Sequence, residues 1–145
     1  MKWDFSKIDI LELLPQQPPF VMIGRLVHLD EQVTTTTFKV EADNIYCNDG
    51  VLDACALVEN IAQTCAARLG FVNKYILKKA VQIGYIGSIR DMKIYRCAVV
   101  GETLETTIVV REQIMGLTLL EASIKVGDET IATTEMKIAL SDIEI

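Results

Sequence analysis

Apolar and polar residues alternate along most of this chain with a period of two, which is typical of strands that bury one face. The alternation covers residues 20–30, 32–41, 81–95, 102–114, 117–126 and 129–140. Asp30-Glu31 separates the first two stretches, and Gly101, Gly116 and Gly127 punctuate the later ones. The pattern predicts an N-terminal hairpin and, later in the chain, four consecutive strands.

A helical pattern replaces the alternation in the middle of the chain. The segment from Ala54 to Leu69 is rich in alanine and contains neither glycine nor proline. Asp53 is a suitable N-cap, and Gly70 is a suitable residue just past the C-terminus. Apolar residues lie on nearly every side, which is typical of a helix enclosed by other structure. We therefore predict a buried central helix over residues 53–70, roughly 24 Å long at 1.5 Å per residue.

Two shorter helical segments are predicted outside this central helix. Ser6 is a suitable cap for an amphipathic helix over residues 6–14, after which three prolines between residues 15 and 19 hold the chain extended. Residues 72–79 are predicted to add a further helical turn or two.

The order of the elements decides the fold class. One hairpin, one buried helix and then several strands indicate an α+β fold, because the repeated strand–helix alternation of a doubly wound α/β fold is missing. The simplest packing wraps one antiparallel sheet around the long central helix, which is the hotdog fold. No linker or repeat divides the sequence, so residues 1–145 are interpreted as a single hotdog domain.

The high apolar content of the chain indicates that part of its surface is buried in a subunit interface. Half of the 145 residues are hydrophobic and the mean hydropathy is +0.30, yet no apolar run is long enough to cross a bilayer. A lone domain of this size hides only roughly 70% of its unfolded surface. We therefore expect an oligomer without a membrane partner. A cytoplasmic location is expected because the N-terminal residues lack the hydrophobic region of a signal peptide.

Charge makes a nucleic-acid partner unexpected. The chain has 14 basic and 20 acidic residues, a net charge of −6, and no cluster of lysine and arginine. Phosphate contacts supply most of the affinity for nucleic acids and need a basic patch.

Cysteine and histidine usage argues against a metal or another cofactor. No two cysteines form a CxxC pair, and one histidine is too few for the usual spacing of a zinc site. We interpret the cysteines as reduced structural thiols. His28 lies near the end of a predicted strand with only Asp30 as a local partner, and is interpreted as a solvent-facing residue. The four cysteines are Cys47, Cys55, Cys65 and Cys97.

Candidate chemistry concentrates on the central helix. Glu59 is its one acidic side chain, and burial of a carboxylate without partners costs several kcal/mol. Gln63 lies four residues on, on the same face, and is placed to hydrogen-bond it, while Asn60 and Thr64 form a second polar pair. A lone carboxyl in apolar surroundings is a candidate general acid or base, because desolvation raises the pKa of such a group toward neutrality.

Two further features of this helix are relevant. An ion pair with Arg90 or Arg96 would make Glu59 a structural residue instead. At the helix start, the N–H groups of Ala54 and Cys55 lack intrahelical partners, and such groups can polarise a thioester carbonyl as an oxyanion hole does.

Several segments resemble the bacterial 3-hydroxyacyl-acyl-carrier-protein dehydratases. Residues 14–26 are similar to the opening pattern Leu-Pro-His-x-x-Pro-Phe-h-h-h-Asp-Arg-h of that family, in which h is hydrophobic. Residues 59–63, Glu-Asn-Ile-Ala-Gln, resemble its helix motif Glu-Ala-Met-Ala-Gln. Residues 94–102 are similar to Phe-Lys-Arg-Pro-Val-x-Pro-Gly-Asp, and residues 116–122 resemble the strand that follows. The resemblance extends from about residue 14 to residue 140, in order and with similar spacing.

The resemblance implies a homodimeric hotdog protein with its site at the dimer interface. In that family a histidine takes the α-proton, a helix carboxylate of the other protomer handles the hydroxyl group, and helix N-terminal amides hold the thioester oxygen. Glu59 is then the catalytic carboxylate, supported by Gln63, and Ala54 and Cys55 supply the amides. The residues expected to line the substrate tunnel are Asn60, Tyr46 and Phe20.

The histidine of that family has no counterpart here. Its position falls on Ile45, and Gln16 replaces the histidine of the opening motif. A hydrocarbon side chain cannot accept a proton. Either Tyr46 or Cys47 substitutes for the histidine, or the chain lends Glu59 to a histidine-bearing hotdog partner in a heterodimer.

Three functions remain open. The first is a dehydratase-like protein acting on 3-hydroxyacyl thioesters of acyl carrier protein or coenzyme A, in fatty-acid or polyketide-type biosynthesis. The second is an acyl thioesterase in which Glu59 activates water, and the third is a non-catalytic acyl-thioester binding protein. An acidic carrier protein would need a local basic patch. The candidates are Lys74, Lys78 and Lys79, or Arg90, Lys93 and Arg96.

Overall fold

The computed structural model describes the backbone of residues 3–80 and 82–144, and the side chains of 3–80 and 82–141. Met1, Lys2, Val81 and Ile145, which belong to the predicted domain, lie outside the described residues. The strands and the α-helix follow in chain order as β1 (Arg25–Leu29), β2 (Val33–Lys39), β3 (Cys47–Asn48), β4 (Val51–Leu52), α1 (Ala54–Phe71), β5 (Gln82–Ile94), β6 (Thr103–Ile114), β7 (Leu117–Val126) and β8 (Glu129–Glu144).

Six of these strands form one antiparallel sheet in the spatial order β1-β2-β6-β7-β8-β5, and α1 packs against it. The predicted α+β class, with an antiparallel sheet around one long central helix, is confirmed as the hotdog fold. β1 and β5 are the two edges of the sheet. The connection from β2, next to one edge, to β5 at the other edge contains α1 and passes over β6, β7 and β8.

The core follows from the two periods in the sequence. Leu104, Thr106 and Ile108 of β6 alternate with more exposed neighbours and are fully buried. Leu57 and Ile61 of α1, one turn apart, are buried in the same cluster as Leu104 and Ile108. Alternate positions of a strand and positions three to four apart on a helix share a face, so both patterns converge on one core.

The central helix begins where predicted and ends differently. The Asp53 carboxylate accepts the Cys55 N–H at 2.8 Å, as expected of an N-cap. The interpretation of Gly70 as a helix stop is wrong, because α1 runs through Phe71 and continues as a π-helical segment over Val72–Ile76. Gly70 instead lies against the backbone of Leu13, where a Cβ would approach the Leu13 carbonyl oxygen to 2.1 Å.

The single N-terminal helix predicted over residues 6–14 is wrong. Two short 3₁₀ turns, Phe5–Lys7 and Ile10–Glu12, stand in its place. Asp4 accepts the N–H of Ser6 at 3.1 Å, and Asp9 accepts the N–H of Leu11 at 3.0 Å. Each aspartate closes its own turn, so Ser6 is not a cap and no continuous helix forms.

The strand predictions hold best in the second half of the chain. β7 has its predicted bounds, β6 begins one residue late, and β8 runs on to Glu144. The strand predicted over 20–30 begins only at Arg25, while the two-residue strands β3 and β4 were not predicted. Within the described residues, no helix combines the length and the apolar character needed to cross a membrane.

Candidate active site

Glu59 and Gln63 lie one helical turn apart on α1 and contact each other, as their spacing predicts. Gln63 Nε2 donates to Glu59 Oε2 at 3.3 Å. Gln63 is fully buried, whereas Glu59 is only half-buried. A buried amide therefore orients one carboxylate oxygen of a group that stays accessible from outside.

Gln63 also holds the segment that precedes β1. Its Oε1 accepts the N–H of Met22 at 2.6 Å, and its Nε2 donates to the carbonyl oxygen of Phe20 at 2.9 Å. Buried backbone groups need hydrogen-bond partners, and here helix side chains take the place of a neighbouring strand. This is why the strand predicted from residue 20 starts later. Nothing in the sequence pattern indicates that Gln63 has this second role.

Asn60 is buried between the helix and the sheet and does not line a tunnel, which differs from the prediction. It is 1% exposed, and its Nδ2 donates to the carbonyl oxygen of Met22 at 2.8 Å. The hydroxyl of Thr106 on β6 donates to Asn60 Oδ1. Both ends of the Asn60 amide are thus engaged between α1, β6 and the segment around Met22.

The start of α1 offers fewer free amides than expected. The N–H of Cys55 is donated to the Asp53 carboxylate, and the N–H of Ala56 to the Asp53 carbonyl oxygen at 3.0 Å. The hydrogen bond from Cys55 lowers the pKa of the Asp53 carboxyl. The N–H of Cys55 thus lacks an intrahelical partner, as predicted, but is bound by the side chain of the N-cap, and the N–H of Ala54 remains as the candidate oxyanion donor.

An apolar cavity of about 240 Å³ lies between the C-terminal half of α1 and the sheet. Its helix wall includes Ala62, Ala66 and Leu69, and residues at this spacing share a face with Glu59. Glu59 itself does not line the cavity but lies one helical turn before Ala62, the first helix residue that does. The predicted tunnel residues Tyr46 and Phe20 do not line this cavity: Tyr46 packs on the main core, and Phe20 is 60% exposed. The sheet wall includes Ile108, Val110, Leu120 and Ile138.

His28 lies far from Glu59. Its Nε2 is 2.8 Å from Asp30 Oδ2 on the exposed side of β1, which confirms the prediction of a solvent-facing residue. Arg68 donates to the carbonyl oxygen of Asp30 at 2.8 Å and so ties this turn to the C-terminal half of α1. Arg68 follows Glu59 by nine residues, or about 14 Å along the helix axis. His28 is not placed to act with Glu59 in the same chain.

Of the two proposed substitutes for the missing histidine, Cys47 is the one that the structure disfavours as a base. Cys47 Sγ donates to the carbonyl oxygen of Glu41 at 3.3 Å, and burial together with Asp43 raises the pKa of this thiol. A raised pKa lowers the fraction of thiolate, which disfavours Cys47 as a base. Tyr46 is half-buried, and Ile45 is 46% exposed.

The alternative of an ion pair between Glu59 and Arg96 does not hold within this chain. Arg96 binds both carboxylate oxygens of Glu102, at 2.9 and 2.8 Å, and also pairs with Glu129 at 2.9 Å. These carboxylates raise the pKa of Arg96 further above its already high value. Arg90 is exposed on the edge strand β5.

All four cysteines are free thiols in the structure. Burial raises the pKa of Cys65 to about 12, which makes this thiol inert, whereas Cys55 is exposed. Among the side chains that the structure describes, no three His, Cys, Asp or Glu residues are placed to hold a metal ion.

Comparison with known proteins identifies relatives over nearly the whole chain. The family model of ApeP-like proteins, described as ApeP dehydratase, matches residues 8–144. The 3-hydroxyacyl-[acyl-carrier-protein] dehydratase FabZ of Thermoanaerobacter pseudethanolicus is 24% identical over 140 residues, which cover 92% of this chain and 96% of that protein.

Solved structures show the same fold. A chain of the dehydratase heterocomplex ApeI:P from Xenorhabdus doucetiae superposes with a TM-score of 0.87 at 18% identity, covering 93% of this chain and 92% of that one. Cj0977, a sigma28-regulated virulence protein from Campylobacter jejuni, has a TM-score of 0.70 at 11% identity, covering 94% and 98% of the two chains.

Proposed function

Because the chain belongs to the ApeP-like dehydratase family, we propose that it dehydrates 3-hydroxyacyl thioesters as one half of a two-subunit site. This chain supplies the carboxylate of Glu59, and a second hotdog subunit supplies the histidine base. One observation carries the proposal. Gln63 orients Glu59 one helical turn before an apolar cavity, while the one histidine of the chain is bound to Asp30, whose carbonyl oxygen is held by Arg68, about 14 Å along α1 from Glu59.

The proposed reaction removes a proton from C2 of the acyl chain and a hydroxyl group from C3. The partner's imidazole takes the C2 proton, and the electron pair of that C–H bond forms the C2–C3 double bond. The carboxylic acid of Glu59 donates its proton to the departing hydroxyl group, which leaves as water. Negative charge that develops on the thioester oxygen is stabilised by the N–H of Ala54 at the positive end of α1.

The surroundings of Glu59 suit this role. Proton transfer requires a carboxyl group held in one orientation, and the buried amide of Gln63 provides that constraint. The cavity beyond Ala62 offers an apolar space for the part of the acyl chain past C3. The proposed substrates therefore carry an apolar acyl tail, which is transferred from water into the cavity when the substrate binds.

The edge strand β5 is the proposed contact with the partner subunit. It is 13 residues long, has no neighbour on one side, and exposes apolar side chains to 38–54%. A long apolar edge of this kind pairs with another chain unless it is covered. The related structure of a dehydratase heterocomplex favours a different hotdog chain as the partner over a second copy. The exposed side chains include Tyr85, Ile86 and Ile89.

The carrier of the acyl group is proposed to be acyl carrier protein, as in the name of the FabZ relative, with coenzyme A as the alternative. Two of the predicted docking cations are already paired, Lys74 with Glu12 and Arg96 with Glu102 and Glu129. A carrier-binding patch on this chain would therefore use the other predicted cations. These are Lys78, Lys79, Arg90 and Lys93.

The decisive experiment compares this chain alone, a histidine-bearing hotdog subunit alone, and the co-purified complex. Formation of the conjugated enoyl thioester from a 3-hydroxyacyl thioester is followed by its absorbance. We expect turnover by the complex, and a loss of at least about 100-fold in Glu59→Gln. Glu112→Gln, an exposed change on β6, is the matched control. Full activity of the Glu59→Gln complex would overturn the proposal.

Thioester hydrolysis is the second candidate function. The observation that favours it is an oriented carboxylate without a nearby imidazole in the part of the chain that the structure describes. A carboxylate that activates water needs no histidine. Release of free thiol by this chain alone, lost in Glu59→Gln and without any enoyl product, would replace the dehydratase proposal by this one.

A further inference from the structure

A buried polar network connects the sheet to α1 beneath Glu59. Thr36 of β2 and Thr106 of β6 are paired across the two strands, and both are fully buried. Thr64 donates its hydroxyl proton to the carbonyl oxygen of Asn60 at 2.8 Å. The hydroxyl oxygens of Thr36 and Thr64 are 2.7 Å apart, so Thr36 must be the donor in that pair.

Only one of the two sheet threonines reaches the side chain of Asn60. Thr106 donates to Asn60 Oδ1, whereas the hydroxyl of Thr36 donates to the hydroxyl of Thr64. The carbonyl oxygen of Met22 can only accept a hydrogen bond, so it selects one of the two orientations of the Asn60 amide, and the hydroxyl of Thr106 holds the other end of that amide by donating to Oδ1. With Oδ1 turned to Thr106, Nδ2 faces the carbonyl oxygen of Met22 and donates to it at 2.8 Å. The reversed amide would place two carbonyl oxygens against each other.

Met22 is the junction between this network and Gln63. Its carbonyl oxygen is bound by Asn60, and its N–H donates to Gln63 Oε1 at 2.6 Å. Because Oε1 is turned to Met22, the Nε2 of Gln63 faces Phe20 and Glu59. Both side-chain amides are thus oriented by the backbone of Met22, and Asn60 is in turn anchored to the sheet by Thr106.

We propose that Thr106 and Asn60 are positioning residues that fix the Glu59 carboxyl group through the backbone of Met22 and the amide of Gln63. The inference rests on the proposed role of Glu59 as the proton donor. Asn60 stands where the resembled helix motif has alanine, so the link to Met22 is a feature of this chain's own sequence. Neither Asn60 nor Thr106 contacts the substrate in this arrangement. They act on the orientation of the carboxyl group alone.

Thr106→Val tests the proposal, because valine keeps the shape of threonine and removes the hydroxyl group. Thr36→Val is a matched control, since it removes an equally buried hydroxyl group from the paired strand position without touching the Asn60 side chain. We expect both to lower the Tm by similar amounts. In the active complex, Thr106→Val should lower kcat about tenfold with KM changed less than twofold.

A conservative variant separates positioning from packing. Thr106→Ser retains the donor and should restore most of kcat, even though it leaves a small gap in the core. Equal kcat values for Thr106→Val and Thr36→Val, or no rescue by Thr106→Ser, would overturn the positioning role.

A second readout does not depend on turnover. The N–H of Met22 is bonded to Gln63 rather than to a strand, so its hydrogen exchange reports directly on the hydrogen bond that links Met22 to Gln63. Asn60→Ala and Thr106→Val should each increase its exchange at least about tenfold more than Thr36→Val does. This measurement applies to this chain even if Glu59→Gln shows that the proposed reaction is wrong. Unchanged exchange of the Met22 N–H would by itself refute the link from Thr106 and Asn60 through Met22 to Gln63.

Discussion

Gly70 lies against the backbone of Leu13 so closely that a Cβ at Gly70 would come within 2.1 Å of the Leu13 carbonyl oxygen and 2.8 Å of its carbonyl carbon. The contact seats the N-terminal segment on the C-terminal half of α1. Pro15 and Gln16, two and three residues further on, line the cavity. A glycine inside the helix is therefore a requirement of packing in this protein.

Gly70→Ala is expected to destabilise the protein by about 3 kcal/mol, although alanine is the better helix former by about 1 kcal/mol. The clash is with backbone, which cannot rotate away as a side chain would. Denaturant unfolding measures the change. Ala62→Gly on the same helix gives the scale of the propensity effect together with the loss of one methyl group from the cavity wall. A Gly70→Ala protein as stable as the wild type would disprove the close contact.

Ala66→Phe should shorten the space available to the acyl chain. Ala66 lines the cavity of about 240 Å³ beside Ala62, and a phenyl ring there would fill much of it. We expect kcat/KM for long acyl chains to fall by about tenfold or more, while that for a four-carbon substrate changes little. The short substrate is the internal control. An equal loss for both chain lengths would show that the cavity does not hold the acyl tail.

Ile89→Asp on the edge strand β5 should weaken subunit association. Ile89 is 41% exposed, and a carboxylate at that position would have to lose its water in an interface. Val27→Asp on the opposite edge β1, where Val27 is 36% exposed, is the matched control. Sedimentation velocity over a range of concentrations should show a large shift toward monomer for Ile89→Asp only. Dissociation by Val27→Asp instead would assign the interface to β1.

Acid should weaken the β1–β2 turn through Asp30. Hydrogen bonds from the N–H of Gln32, from His28 and from the N–H of Val33 lower the pKa of Asp30 from 3.8 to about 2. A lowered pKa contributes stability above the unfolded value, and this contribution is lost as the pH falls from about 4 to about 2.

Asp30→Asn keeps an acceptor for the turn but removes the charge. It should lower the Tm by a few degrees at pH 7, and the difference from the wild type should vanish as the pH falls toward 2. Asp128→Asn in the β7–β8 turn is the control. A difference that stays constant down to pH 2 would contradict the assignment to the Asp30 charge.

Local patterns predicted the elements whose partners are close in sequence. β6, β7 and β8 are joined by short turns, and β7 has its predicted bounds. The N-cap of α1 involves groups two residues apart, so Asp53 was identified correctly. Glu59 and Gln63 were placed together because residues four apart share a helix face.

The predictions that were wrong concern residues whose positions are set by contacts distant in sequence. Gly70 is required by its contact with Leu13, which is 57 residues earlier in the sequence, and not by the end of the helix. The segment before Arg25 is held by Gln63 and Asn60, so alternation alone does not make it a strand.

The sequence by itself determined the central helix, most of the long strands, the class of fold and the carboxylate–amide pair on that helix, because spacing along a helix or strand fixes which residues share a face. Only the tertiary structure decided how that pair is held and where the apolar cavity lies. The hydroxyl of Thr106 and the backbone of Met22 reach α1 across the fold, and no local period records such a contact. The tertiary structure also separated His28 from Glu59, since strand β1 carries the histidine to the far end of the helix.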